Sequence, residues 1–405
     1  NYVAGKILSG SKGKCFKDYA ILYRTNAQSN ALEYAFKRNG IPYRVIGGTR
    51  FFDRAEVKDM LAYLCIINNR NDDLRLTRII NNPARGIGPK ALDSAQRMAQ
   101  AEGCSLYKVI SDPYSYGPLE KVAGKFLSFT AIIEQLTSLL EDGMSLPDFY
   151  DQVLILTGYA QMLESKPTEE NKTRLENVKE LKSSIAAYLQ NAEVPSLAGF
   201  LEEIALYTDI EEYNESDDAV VMMTMHSAKG LEFPNVFLVG FEDGLFPGAR
   251  SIGDREEMEE ERRLCYVAIT RAKQNLTISY ARQRMLYGRT GAAMASRFLR
   301  EIPEDMMVKK GGYQRVNEWS GQNYGVYSRP AQPAKKVEYV SYTPAKSVPL
   351  PDINKGDMVE HTAFGRGLVL SVLKMSGDAL LEIAFDRVGT KKLMAKTASA
   401  HMKKL

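Results

Sequence analysis

Val220–Val239 reads VVMMTMHSAKGLEFPNVFLV, and Glu259–Lys273 reads EEERRLCYVAITRAK. The first stretch has the pattern of a strand, a polar glycine-containing turn and a second strand. The second is helical, with Leu264, Val267 and Ala268 on its apolar face, and it closes on an isolated Thr270-Arg271. Together they predict a sheet edge presenting His226, Lys229 and Glu232, and a helix end presenting Arg271. Cationic and hydrogen-bonding groups gathered in this way suit a nucleotide phosphate and a polyanionic strand.

Working outward, Ala20–Arg24 predicts a short apolar strand, Asn26–Arg38 a helix and Tyr43–Ile46 a second strand. This strand–helix–strand unit belongs to an α/β sheet. From Arg54 the pattern turns to long helical periodicities, broken at Asn81-Asn82-Pro83, Asp112-Pro113, Gly117-Pro118, Pro147 and Pro195. Strands return at Ala219–Met225 and Asn235–Gly240, followed by a helix over Asp254–Ala272 and a strand over Asn275–Tyr280. The simplest topology is a parallel α/β domain with an all-helical domain inserted into it. Met306–Asp352 is rich in Pro, Ser, Gly, Gln and Tyr without a period, the composition of a disordered linker. Lys355–Leu405 alternates through four strands and fits a small Tudor- or SH3-like β-barrel, near the lower size for independent folding. The expected boundaries are 1–50 and 215–305 for the two parts of the α/β domain, 51–214 for the insert, 306–354 for the linker and 355–405 for the barrel.

Length and composition bound the rest. A chain of 405 residues holds roughly two to four domains. With 44% hydrophobic and 25% charged residues it is an ordinary globular sequence. Lys and Arg number 53 against 50 Asp and Glu, so any nucleic-acid binding must come from local patches. The four cysteines are scattered without a CxxC pair, which argues for reduced thiols in a cytoplasmic protein and against a disulfide framework or a zinc site. No apolar run reaches the length of about 18 residues that a membrane span needs. The phosphate-binding pattern G-x-x-x-x-G-K-[ST] is absent, as is an Asp-Glu pair closing an apolar strand to hold a metal. The sequence begins in mid-pattern without Met, as expected of the C-terminal part of a larger polypeptide that carries part of a nucleotide site.

Each candidate residue has a functional and a structural reading. Arg271 can neutralise a transferring γ-phosphate, an effect worth roughly 10³–10⁵ in rate, or simply complement a helix dipole. Glu232 can accept hydrogen bonds from ribose hydroxyls or be a solvated turn residue, and Gly230 allows close backbone approach. Thr224, His226 and Lys229 can hold a phosphate, although a lone histidine is more often structural. Arg24 and Asn26 stand where a strand opens into a helix, with Asn26 able to cap that helix or to help bind an anion there. Tyr287 can stack on a base, at roughly 1–3 kcal/mol per base. Gly86, Gly88 and Lys90, in Asn82–Lys90, form either a clamp on duplex phosphates or a plain connector between helices. Phe51 and Phe52 are expected in the core. No metal ligand is assigned.

The stretches HSAKGLEF and YVAITRA, with YRTNAQS (Tyr23–Ser29), GGTRFFDR (Gly47–Arg54) and the GIG turn, resemble motifs of superfamily 1A DNA helicases of the UvrD/Rep/PcrA branch. The resemblance covers nearly the whole chain. It implies a second RecA-like domain (2A) carrying the inserted 2B domain, in an enzyme that uses ATP and Mg²⁺ to move 3′ to 5′ along single-stranded DNA and to unwind duplex in repair or replication. By the same resemblance Arg271 senses the γ-phosphate and Glu232 contacts the sugar. Arg24, Asn26, Thr224 and His226 contact the single strand, Lys229 couples that contact to the nucleotide, and Tyr287 stacks at it. Two departures are Asn30, where relatives commonly have Arg, and Gly248, where they often have His. The implied partners are single-stranded DNA and its junctions with duplex, the N-terminal RecA-like part that would hold the P-loop and Mg²⁺ ligands, and RNA polymerase at the barrel. This chain is expected to be inactive alone. The alternatives are a non-catalytic adaptor for DNA or polymerase, and a helicase–nuclease subunit, for which no carboxylate-rich domain follows Arg271.

Overall fold

A computed structural model describes residues 1–11, 15–209, 218–310, 353–375 and 378–405. Helix α1 (Tyr2–Ser11) leads into β1 (Tyr19–Tyr23), α2 (Ser29–Arg38) and β2 (Tyr43–Ile46). A helical region follows: α3 (Ala55–Asn68), α4 (Asp73–Ile79), α5 (Pro89–Glu102), α6 (Leu106–Ser111), α7 (Ala123–Glu141), α8 (Leu146–Leu156), α9 (Tyr159–Glu164), α10 (Glu169–Asn191) and α11 (Leu197–Asp209). The sheet resumes with β3 (Val220–Thr224), β4 (Phe233–Val239), α12 (Arg255–Ile269) and β5 (Ala272–Ser279).

The five strands form one parallel sheet in the order β2-β3-β1-β4-β5. The helical region leaves after β2 and returns at β3, and these two strands are neighbours, with Tyr43 paired to Val220. Strand alternation gives each sheet face its own core. Ala20, Leu22, Val221, Met223, Val236 and Leu238 pack with Leu264, Cys265 and Ala268 of α12. On the other face Ile21, Tyr23, Val220, Met222 and Phe237 pack with Ala4, Ile7 and Leu8 of α1 and Phe36 of α2. The helical region has a third core, in which Phe51 and Phe52 are buried with their rings edge to face at 5.2 Å.

Beyond β5 the chain forms a hairpin, β6 (Gln283–Leu286) and β7 (Arg289–Ala292), which the sequence reading did not foresee. The C-terminal sheet comprises β8 (Met358–His361), β9 (Gly365–Met375), β10 (Asp378–Phe385), β11 (Gly389–Met394) and, after the short helix α13 (Ala395–Ala398), β12 (Met402–Lys404). It is antiparallel in the order β11-β10-β9-β8-β12. Most of the expected linker, 311–352, and the expected junction at 214 lie outside the described residues.

Three local expectations shift. The helix that carries Arg271 ends at Ile269, so Arg271 sits in the turn before β5, and β5 starts at Ala272 rather than Asn275. Asn26 does not cap α2. Thr25 and Gln28 form a reciprocal capping box around the short turn Asn26–Gln28, and α2 begins at Ser29. Finally, His226 and Glu232 do not share an edge. Because β3 and β4 both run parallel to β1, β3 ends at the carboxyl edge of the sheet while β4 begins at the amino edge, and residues 225–232 cross between them.

Candidate nucleotide and nucleic-acid sites

The carboxyl edge gathers the first group of candidates. Tyr23 and Thr224 are register partners at the ends of β1 and β3, so Arg24 and the Thr224–His226 turn emerge side by side. Thr224 closes its turn locally, with its hydroxyl 2.9 Å from that of Ser227 and accepting the Ser227 N–H at 3.2 Å. His226 is exposed, and partial loss of solvent, reinforced by the Arg24 guanidinium, lowers its pKa from the usual value. Near neutral pH its imidazole therefore serves as an uncharged hydrogen-bonding group.

Arg24 is held by a partner that the sequence reading missed. Its Nε donates to both oxygens of Glu261 at 2.9 and 3.2 Å, and its second terminal nitrogen donates to Oε1 at 2.7 Å. Glu261 is buried on α12 and also accepts the Gly248 N–H at 3.1 Å. The side-chain oxygen of Gln28 accepts the N–H groups of Arg24 and Thr25, each at 2.9 Å. Asn26 is partly exposed, and its carbonyl accepts a hydrogen bond from buried Arg54. Arg54 also donates to Ser29 and to Asn177 of α10, which ties this turn to the helical region. Asn30 is buried and paired with Ser184 of α10, so this position supplies no surface cation.

The amino edge gathers the second group. Arg271 donates from Nε to the Val267 carbonyl at 2.9 Å, and from its terminal nitrogens to the Leu231 carbonyl at 3.2 Å and the Thr270 hydroxyl at 3.0 Å. Its partners are thus two carbonyls and a hydroxyl, with no carboxylate partner among the described residues, so its charge is oriented but not neutralised. The Arg271 carbonyl accepts the Phe233 N–H at 2.9 Å, which fixes the two strand starts side by side. Glu232 is exposed, and its nearest cation is Lys273 at 4.0 Å, an exposed pair of little energetic weight. Gly230 has φ +85 and open space where a side chain would be, and Lys229 is exposed beside it. These residues fit one wall of a nucleotide pocket: a fixed cation, a hydrogen-bond-accepting carboxylate and a backbone open to close approach. Among the described residues no group of three His, Cys, Asp or Glu side chains converges on a point that could hold a metal ion.

Tyr287 lies apart from both edges, at the tip of the β6–β7 hairpin. Tyr287 and Gly288 have φ 53 and 73, the two positive values of a type I′ turn. The tip is seated on α10: Tyr287 N–H donates to Glu180 at 3.1 Å and Gly288 N–H to Ser183 at 2.9 Å. Burial raises the Tyr287 hydroxyl pKa to about 12, while the residue keeps 37% of its surface exposed. In the helical region, Gly86 (φ +70), Ile87 and Gly88 lead into α5, whose first residue is Pro89. Ile87 is the buried anchor of this turn, and Gly86, Gly88 and Lys90 are exposed around it. The Lys125 ammonium caps the Gly86 carbonyl at 2.7 Å.

The UvrD-like helicase C-terminal domain matches residues 1–283, and the PcrA/UvrD tudor domain matches residues 356–400. The chain belongs to the UvrD-like helicase family. It is 42% identical over 397 residues to the ATP-dependent DNA helicase PcrA of Staphylococcus aureus, covering 96% of this chain and 53% of the relative. It is 41% identical over 402 residues to the protein of the same name from Staphylococcus epidermidis, covering 98% and 54% respectively. The chain therefore spans about half the length of the curated relatives it matches. The five-stranded antiparallel sheet at the C-terminus corresponds to the tudor match. No helix among the described residues is long and apolar enough to cross a membrane.

Proposed function

We propose that this chain is the C-terminal portion of an ATP-dependent DNA helicase, supplying the second RecA-like unit of a motor that moves 3′ to 5′ along single-stranded DNA and unwinds duplex. The observation that carries the reading is Arg271: a guanidinium at the amino edge of the sheet, oriented by Val267, Leu231 and Thr270 and matched to no carboxylate among the described residues. Such a group stabilises charge on a phosphoryl oxygen that a second domain would bring to it. When bound, ATP supplies a phosphoryl group that water accepts. Glu232 and Gly230 would hold the sugar side of the nucleotide. The P-loop lysine and Mg²⁺ ligands would come from the other RecA-like part.

In this reading Arg24, Asn26, Thr224 and His226 line the single-stranded DNA path, Lys229 lies on the segment joining that path to the nucleotide, and Tyr287 meets bases at the junction. The exposed Gly86–Gly88 backbone and Lys90 contact duplex phosphates, which carry no sequence preference. The barrel is assigned to partner recruitment, since Met358, Leu368, Leu370 and Leu373 are exposed on it, and the resemblance to the family implies RNA polymerase as the partner. The domain limits 1–50, 51–214, 215–305, 306–354 and 355–405 belong to the same proposal.

The test is ATP hydrolysis, with and without single-stranded DNA, by this chain alone and then mixed with the P-loop part of a relative. We expect no activity alone, DNA-stimulated activity on mixing, and a fall of roughly 10³-fold with Arg271→Ala. Inactivity of a mixture shown to associate would instead favour an adaptor that binds DNA or polymerase without catalysis.

A further inference from the structure

The two candidate edges lie at opposite ends of the same strands, so a motor needs something rigid between them. Helix α12 runs between the two edges. It begins after β4 has reached the carboxyl edge and ends where β5 starts at the amino edge. From Glu261 to the last helical residue, Ile269, the helix rises about 12 Å, close to the span of about 13 Å of a five-residue strand. One end of this rod orients the Arg271 guanidinium through Val267 and Thr270. Midway along it stands Glu261, buried and joined to Arg24 by bidentate hydrogen bonds.

We infer that Glu261 is a positioning residue that couples occupancy of the strand-binding edge, through Arg24 and α12, to the placement of Arg271. The inference rests on the proposed helicase reading and deepens it. Glu261 is the only acid on the buried face of α12, among Leu264, Cys265 and Ala268. Its carboxylate engages Nε and one terminal nitrogen of Arg24, leaving the other terminal nitrogen without a partner among the described residues. A guanidinium has five N–H donors in a fixed plane, so a DNA phosphate can bind the remaining edge while Glu261 holds the first. Any shift of Arg24 toward the phosphate is then transmitted to α12. The Gly248 N–H on Glu261 ties the loop after β4 into the same joint. Glu261 does not touch the nucleotide or the strand, and its effect is confined to how strongly one site senses the other.

The experiment uses the helicase assembled from this chain and the P-loop part, as wild type and as Glu261→Gln, which keeps size and an oxygen acceptor but removes the charge. Three quantities are read: the ratio of ATP hydrolysis with saturating oligo(dT) to that without it, the change in oligo(dT) Kd by fluorescence anisotropy on adding the analogue AMP-PNP, and the melting temperature. The change in oligo(dT) Kd reads the coupling of the two sites in binding, and the stimulation ratio reads its consequence for hydrolysis. We expect both to shrink by about fivefold or more, with the melting temperature and the nucleotide-free Kd nearly unchanged. Equal stimulation in wild type and variant would overturn the inference. A purely structural role would lower the melting temperature and both hydrolysis rates in parallel, leaving the ratio intact, and would overturn it equally. Should Glu261→Gln fail to fold, Glu261→Asp, which keeps the charge but withdraws the carboxylate from Arg24 by one methylene, is read in the same way. A wild-type assembly that binds oligo(dT) without stimulated hydrolysis refutes the helicase reading itself, a result distinct from either outcome for Glu261.

Discussion

Glu180 is the acid whose titration the fold perturbs most legibly. It is buried on α10, and burial raises its pKa to about 7, against the opposing pull of hydrogen bonds from Tyr287 N–H, Ser183 and Asn30. The native state therefore keeps a proton that the unfolded chain has already released at its ordinary pKa of 4.5. Stability from this proton is fully present below about pH 4.5 and is lost as pH rises through about 7, by an amount on the order of 3 kcal/mol. Glu180→Gln mimics the protonated carboxyl and can still accept the Tyr287 N–H. We expect the variant to match wild type in thermal melts near pH 4.5 and to be the more stable of the two at pH 8.5. A pH-independent difference between the two melting curves would show that Glu180 does not titrate as its burial requires.

Elements built from local periodicity were legible in the sequence, and those built from distant neighbours were not. The strands around Ile21, Met222 and Phe237 are apolar runs because both faces of the sheet are covered, and such runs are plain to read. The β6–β7 hairpin was missed because its turn is Tyr287-Gly288. Tyrosine is no turn former, its φ of 53 is uncommon for a residue with a side chain, and the α10 groups that accept the tip N–H groups lie far away in sequence. His226 and Glu232 were expected on one edge because sequence proximity hides the crossover that parallel strands impose. Glu261 was legible but unread: its spacing of three, four and seven residues to Leu264, Cys265 and Ala268 puts an acid on the core face. The hairpin yields its own prediction. A Cβ added to Gly288 would stand 2.5 Å from Lys182 Cγ, at a φ of 73 that disfavours side chains. Gly288→Ala should destabilise the protein by about 1 kcal/mol or more and speed hydrogen exchange at Tyr287 and Gly288, whose amides now face Glu180 and Ser183. Unchanged exchange at both amides would mean that the tip is not anchored on α10.

At the scale of the molecule, the barrel and the parallel sheet share one hydrophobic core, in which Phe364, Leu393 and Ala395 join Ile7, Leu8 and Phe36. Arg38 at the end of α2 reaches across, donating to Asp378 at 2.5 Å and to the Thr397 hydroxyl at 2.9 Å, with both charged groups buried. The same guanidinium donates to the Tyr34 hydroxyl, which donates to Glu203 of α11, so one chain of hydrogen bonds runs from helical region to barrel. Gly40 permits the contact: a Cβ there would lie 2.5 Å from Leu393 Cδ2. The shared apolar core favours the docked state, and truncating Arg38 would strand the buried Asp378 charge at roughly 3–5 kcal/mol. The barrel is accordingly expected to stay on the sheet domain by its own affinity and to hold any partner in a fixed orientation toward the strand-binding edge. A protease site engineered within 311–352 and then cut converts the chain into two pieces for gel filtration. Co-elution of the pieces at micromolar concentration is the expected result, with separation once Arg38→Ala is introduced or Gly40→Val obstructs the approach of Leu393. Separation of the cut wild-type pieces would mean that the covalent connection alone keeps the barrel in place.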